Sequence, residues 1–198
     1  MEGSRRWPGE KECLEIIHKA GCSAKVVAHL RMVERIATAI ARKMIERCGS
    51  QASGENKRAM RRVQVDLGLV RAGALLHDIG RGRTHGMRHA VAGAEMAREL
   101  GLPEEIALII ERHIGAGVER EEAVRLGLPP KEYIPLSIEE KIVAHADNLA
   151  GPHGKIELAE ALRDLERKGA AHVMPRMEAL HRDLSALCGA DIDDIEVG

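Results

Sequence analysis

Apolar residues in this chain recur at steps of three and four along most of its length, and nowhere alternate at steps of two over a strand's worth of residues. That spacing gives each segment one apolar stripe on a helix face and leaves nothing to build a sheet from. The chain is therefore expected to be all-α. The clearest stripe is Val27, Leu30, Val33, Ala37, Ile40 and Met44, on a helix that Ser23 caps and that runs to about Arg47, with Gly49 just past its end. After a loop over residues 49–56, a second helix is read from about Arg58 to Asp78, entered through Lys57, Arg58, Arg61 and Arg62, a basic cluster read as a solvated face. Residues 80–88 are Gly-rich and read as a loop. Helices follow over 89–100, closed by Gly101, and from Pro103 to His113, where the proline occupies a first turn that needs no N–H. A short helix at 119–126 leads through a proline-rich connector to Ser137, which with Glu140 forms a capping box for a helix through Leu149. Helices at 156–168 and 172–187 complete the pattern, and the acidic tail 191–198 is expected to fray.

Composition matters mainly for what it excludes. With no Phe, one Trp and one Tyr in 198 residues, the core is aliphatic, and the aromatic platforms on which RNA-recognition and single-strand-binding modules stack bases are missing. Cys13, Cys22, Cys48 and Cys188 form no CxxC pair, so they read as ordinary thiols of a reducing compartment rather than a zinc ribbon or disulfide scaffold. No apolar run approaches the roughly 18 residues of a membrane span, and the N-terminus lacks a secretory signal's apolar stretch, so a soluble, cytoplasmic protein is expected. Residues 1–100 hold 19 Lys+Arg against 11 Asp+Glu and residues 101–198 hold 11 against 20, an asymmetry that suggests a basic face for an anionic partner or substrate.

Ten histidines are many for this length, and their placement carries the functional reading. His77-Asp78 ends an apolar helix, where an imidazole beside a carboxylate is costly unless each has a partner. A metal ion supplies one to both. His29 lies inside the long helix, His89 opens a helix, His113 closes one, and Asp147 stands near the end of another. Each is at or near an apolar stripe. Any one of them alone reads as a hydrogen-bonded core or cap residue; together they read as converging donors. His18, His153, His172 and His181 are read as surface or cap residues, and Met174 and Met177 as packing.

His29, LLHDIG at 75–80, HAVAGAEMARELG from His89, ERHIGAG around His113 and EEKIVAHADNL ending beyond Asp147 together resemble the HD-domain superfamily of metal-dependent phosphohydrolases, specifically its HDIG-type members. The likeness covers roughly residues 22–150. It implies an HD-type helical bundle at 22–150, with residues 1–21 as a preceding helix packed on it and 151–198 as a C-terminal helical addition within the same globular unit. It implies a first metal held by His29, His77, Asp78 and Asp147, and a second held by Asp78, His89 and His113, with Asp78 bridging and Asp78 and His77 central to catalysis. After His113 the chain reads Ile114-Gly115-Ala116-Gly117, lacking the adjacent second histidine and the GYP motif of the cyclic-dinucleotide phosphodiesterases of that superfamily.

The chemistry agrees. Two divalent ions about 3.5–4 Å apart bring the pKa of a bound water towards neutrality and clamp both oxygens of an in-line displacement at phosphorus. Imidazole and carboxylate ligands suit Mn, Fe, Co, Ni or Zn without choosing among them. Arg81, Arg83 and His85 decorate the Gly-rich loop and Lys141 precedes Asp147 on its helix; guanidinium groups pair with phosphate oxygens, which makes Arg81 and Arg83 candidate clamps, and His85, able to protonate a leaving oxygen, and Lys141 complete the candidate substrate residues. The expected activity is hydrolysis, by a metal-bound hydroxide, of a phosphoester or phosphoanhydride in a small nucleotide-like substrate. A membrane or nucleic-acid partner is not expected, and a homo-oligomer stays open. The alternatives are a one-metal 5'-nucleotidase-like enzyme, in which His89 and His113 serve substrate, and a low-turnover metal-containing sensor or nucleic-acid-associated protein.

Overall fold

The computed structural model describes residues 7–50 and 64–198, leaving the side chain of Ser50 aside. The basic cluster Lys57, Arg58, Arg61 and Arg62 and most of the loop before it lie outside the described residues. Nine helices run in the order α1 (Glu10–Lys19), α2 (Ala24–Ser50), α3 (Leu67–Leu76), α4 (His89–Glu99), α5 (Glu104–Arg112), α6 (Arg120–Arg125), α7 (Ile138–Asn148), α8 (Leu158–Arg167) and α9 (Met174–Cys188), counted among the described residues, with 3-10 turns at Ile79–Gly82 and Ala171–Val173. Isolated bridges, Val118 with Tyr133 and Ala150 with Lys155, are the only β pairings among those residues. None of the described helices is long and apolar enough to cross a membrane.

α3 is the axis of the fold. Leu69, Val70, Ala72, Ala74, Leu75 and Leu76 are all buried on it, and a helix apolar nearly all round must be surrounded. It packs on α1, α2, α5 and α7, while α4 and α5 form a hairpin and α9 covers α2, α7 and α8. The α2 stripe behaves as its spacing demands, with Leu30, Val33, Ala37, Ile40 and Met44 buried. One core cluster extends from Cys13 to Ile195; a smaller one gathers Val91, Val118, Ala123, Leu128 and Tyr133 beside the α4–α5 hairpin.

Three sequence expectations need correction. The helix read from Arg58 begins at Leu67 in the described stretch, because Asp66 is its N-cap: Oδ1 accepts from Leu69 N at 3.0 Å and Oδ2 from Trp7 Nε1 at 2.8 Å. It ends at Leu76, and what was read as loop from Gly80 starts as a 3-10 turn. The capping box at Ser137 is half made: Ser137 Oγ accepts from Glu140 N at 3.1 Å, but the Glu140 carboxylate turns to Leu136 N and Arg112. The acidic tail is docked. Ile192 and Ile195 are buried, and Lys155 Nζ donates to the carbonyls of Ile192, Asp193 and Ile195 at 2.7, 2.8 and 2.7 Å.

The tightest passage lies where the 3-10 turn meets α4. A Cβ on Gly80 would stand 1.9 Å from His89 O and 2.6 Å from Gly93 N, and one on Gly93 2.8 Å from Ile110 Cγ2. Only glycine at both positions lets the His77-Asp78 segment lie against the helix that starts with His89.

Candidate metal centre

The six candidate donors come from or directly follow five helices, and all but His29 stand at or just past a helix end. His29 projects from α2; His77 is the C-cap of α3 and Asp78 follows it; His89 is the first residue of α4; His113 is the C-cap of α5; Asp147 lies in the last turn of α7. The fold brings all six together. His29 Nε2 is 2.9 Å and His77 Nε2 3.5 Å from Asp147 Oδ1. His89 Nε2 is 3.0 Å and His113 Nε2 3.6 Å from Asp78 Oδ1, and the two Nε2 atoms are 3.0 Å apart. The halves join where the His77 and His113 rings meet at 4.8 Å between centroids.

Local backbone geometry settles which nitrogen faces inward. His77 Nδ1 lies 2.8 Å from Ala74 O, His89 Nδ1 2.8 Å from Gly86 O and His113 Nδ1 2.7 Å from Ile110 O. A carbonyl only accepts, so each Nδ1 carries a proton and each Nε2 is the nitrogen turned into the site, bare whenever the ring is neutral. At His77 and His113 the accepting carbonyl is one that a helix C-terminus leaves without an intrahelical donor. His77 Nε2 and Asp78 Oδ1 are fully buried with no hydrogen-bond partner. With both rings neutral, lone pairs from Asp78, His89 and His113 converge, an arrangement that costs free energy until a cation or a proton fills it. The imidazole and carboxylate donors suit a divalent transition ion, and three groupings drawn from these six residues can hold one: His29, His77 and Asp78; His77, His113 and Asp147; Asp78, His89 and His113.

The electrostatics agree. Burial opposes charge on Asp78 and Asp147, but His89 and His77 beside Asp78, and His77 and His29 beside Asp147, hold both carboxyls well below the usual range. Burial likewise opposes a charged His77, yet Asp147 and Asp78 outweigh it and raise its pKa to about 9, so positive charge at its Nε2 is favoured. Burial, aided by His77, lowers His113 to about 4. Two helix C-termini, of α3 and α5, add their partial negative charge at the same place.

Beside the donors opens a cleft of about 360 Å³ lined by Lys25, His29, Asp78, Arg81 and His85, among others. Two of the four substrate candidates, Arg81 and His85, are on it. Arg83 turns away to Glu99, 2.7 Å from its Nη2, and Lys141 stands six residues before Asp147 on α7, about 120° round the helix from it. Lys25 was missed, although its place four residues before His29, one turn back on the same face of α2, was a usable signal. His181 is not a surface residue: it is buried, with Nδ1 2.9 Å from His145 Nε2 and Nε2 2.9 Å from Asp191 Oδ1. His172, by contrast, is an exposed partner of Glu122.

A family model described as HD domain matches residues 26–151. A protein from Thermoplasma volcanium named tRNA (cytidine(56)-2'-O)-methyltransferase is 40% identical over 188 residues, which is 95% of this chain and 50% of that protein. The uncharacterized protein MJ0778 of Methanocaldococcus jannaschii is 58% identical over 105 residues, 53% of this chain and 62% of its own length. The chain thus spans about half the length of the first of these relatives and somewhat more of the second. Among solved structures, the HD domain of the Listeria monocytogenes phosphodiesterase PgpH in complex with cyclic-di-AMP aligns with a TM-score of 0.50 at 16% identity, covering 88% of this chain and 96% of that one, a likeness of fold.

Proposed function

This chain belongs to the HD-domain family, and from that premise we propose that it is a metal-dependent phosphohydrolase cleaving a phosphoester or phosphoanhydride in a nucleotide-like substrate. The observation that carries the reading is the convergence of imidazole and carboxylate donors, with Asp78 Oδ1 and His77 Nε2 among them buried without hydrogen-bond partners, beside a cleft lined by cations. His29, His77, Asp78 and Asp147 would hold one divalent ion and Asp78, His89 and His113 a second. Such ions supply water activated near neutral pH and neutralise charge on the phosphoryl oxygens.

The chain's own groups do the rest. The Nδ1–H latches fix three imidazoles in the ligating orientation, so little reorganisation accompanies reaction. Lys25 and Arg81 attract and orient the phosphate, Arg81 through paired donors and Lys25 as a point charge. His85, on the same cleft, is assigned the proton delivered to the departing oxygen. Arg83 and Lys141 are left without a role at the phosphate.

The name of the Thermoplasma volcanium relative favours a second reading, in which the scissile phosphate belongs to RNA; the donor set would attack a phosphodiester in the same way. Metal-reconstituted protein should be assayed against nucleoside monophosphates, dinucleoside polyphosphates, cyclic dinucleotides and tRNA, with phosphate and nucleoside products both followed. Turnover of any nucleotide, weakened chiefly through KM by Lys25→Ala, supports hydrolysis; cleavage of tRNA alone selects the RNA reading. Full metal loading without turnover on the whole panel leaves the low-turnover sensor instead.

A further inference from the structure

Arg81 occupies an unusual position for a residue assigned to substrate. Its Nε lies 2.5 Å from Asp78 Oδ2, its Nη2 3.4 Å from His89 Nε2 and its Nη1 3.3 Å from His85 O. The guanidinium therefore engages two of the three groups that would hold the second ion, while touching none of His29, His77 and Asp147 through any of these contacts. Its partner Asp78 is almost wholly buried, whereas the Arg81 side chain keeps about a third of its surface exposed, at 32%. One end of the pair is buried and the other borders the open cleft.

Charge balance makes the arrangement consequential. Asp78 and Asp147 give the donor set two negative charges, which a single divalent ion cancels. Arg81 then leaves the site net positive, so a second divalent ion enters against both that ion and a guanidinium already bonded to its ligands. A phosphate changes the balance. It brings negative charge to the cleft that Arg81 lines, and a guanidinium trades a carboxylate for the paired oxygens of a phosphate at small cost.

We propose that Arg81 is a gate on the second metal position: it occupies Asp78 and His89 in the one-metal protein and releases them when a phosphate in the cleft takes its guanidinium, so that anion and second ion bind cooperatively. This rests on the two-ion reading above and deepens it, making Arg81 a positioning residue for metal as well as a phosphate ligand. By linkage, each ligand strengthens the other by the same factor, and ordinary couplings are roughly 5- to 150-fold.

The test is equilibrium dialysis of the metal-stripped 198-residue chain against Mn2+, with metal per chain read by mass spectrometry, in the absence and presence of inorganic phosphate. The unmodified protein should hold one ion without phosphate and two with it, the second binding in the presence of phosphate by the factor above. Arg81→Gln keeps a polar side chain, shorter than arginine, and loses its charge; it and Arg81→Ala should each hold two ions without phosphate, with unchanged helical circular dichroism. Two ions in unmodified protein without phosphate overturn the gate and leave the two-ion site standing. A single ion in both Arg81 variants under every condition overturns it also. A failure of all proteins to bind any Mn2+ removes the metal reading itself, and the gate with it.

Discussion

The contact between the 3-10 turn and α4 gives the most direct test of how the backbone builds the site. In Gly80→Ala the new Cβ would sit 1.9 Å from His89 O, whereas an ordinary carbon–oxygen contact needs about 3.3 Å, so the two segments must part by roughly 1.4 Å. His89 O and Gly93 N belong to a helix backbone and cannot rotate aside as a side chain would. Overpacking costs about 1–3 kcal/mol, and with no soft partner the upper end applies. At 2–4 °C per kcal/mol for a chain of this size, the melting temperature should fall by about 6–12 °C. The displacement has a direction as well: it draws His89 from Asp78, now 3.0 Å apart, and spares His29, His77 and Asp147. Calorimetry of metal-free protein reads the first effect and metal analysis of loaded protein the second. Gly86→Ala, in the same loop but with nothing within 4 Å of its Cβ, is the control and should change stability by no more than about 0.5 kcal/mol. A Gly80→Ala protein that melts with its parent and keeps full metal content would falsify the argument.

Asp78→Asn should abolish turnover and lower bound metal while far-ultraviolet circular dichroism stays helical, since the neutral amide keeps the shape and loses the bridging charge; near-normal activity contradicts the site assignment. Metal-free protein should lose stability as pH falls from 6.5 towards 4. His145 is held neutral in the fold, its pKa lowered to about 3 by burial and then by His181, while the unfolded chain takes up its proton; at pH 5 this one group costs about 2 kcal/mol. His77, raised to about 9, is protonated in both states over that window and contributes no slope there. His145→Gln should therefore flatten the acid limb by one proton in denaturant titrations, and an unchanged slope would show the histidine is not neutral when folded. Lys155→Met removes three charge-assisted bonds to tail carbonyls and should cost about 2 kcal/mol, with faster limited proteolysis after residue 190; a tail equally protected in the variant would mean Ile192 and Ile195 hold it unaided.

How much of this was readable beforehand follows from what kind of information each feature uses. That His29, His77, Asp78, His89, His113 and Asp147 come together was legible from the likeness of their motifs to the HD-domain family, with support from the rarity of His and Asp on apolar helix faces. The α2 stripe was legible from its period. The start of α3 was not, since apolar spacing continues through Gln64–Asp66 and masked the cap signal of an Asp before Leu67. The His145–His181 pair depends on how α7 and α9 meet, and two residues 36 positions apart carry no local trace of it. The tail held a weak sign, two isoleucines three apart in an acidic run, overridden by its composition. Arg81 was read as a candidate beside the donors, and it lines the cleft next to them, but its bond to Asp78 is a matter of rotamer choice that no spacing encodes.

The donors' placement at helix ends has a consequence for charge. His77 and His113 terminate α3 and α5, where unpaired carbonyls concentrate partial negative charge; two of those carbonyls, of Ala74 and Ile110, are also the ones that orient the imidazoles. The same feature thus selects the ligating nitrogen and favours the cation it would meet. On the cleft side the polarity is reversed. Ser23, Lys25 and Val26, from the first turn of α2, line it together with Arg81, so a helix N-terminus with its partial positive charge stands beside two cationic side chains. Cation and anion are therefore offered adjoining positions of opposite potential, with Asp78 and His29 lining the cleft and belonging to the donor set as well. A chain that ended α3 or α5 one turn later would keep every histidine in its sequence and lose both the latch and the field, which is why helix length, and not histidine content, decides whether this constellation can hold a metal.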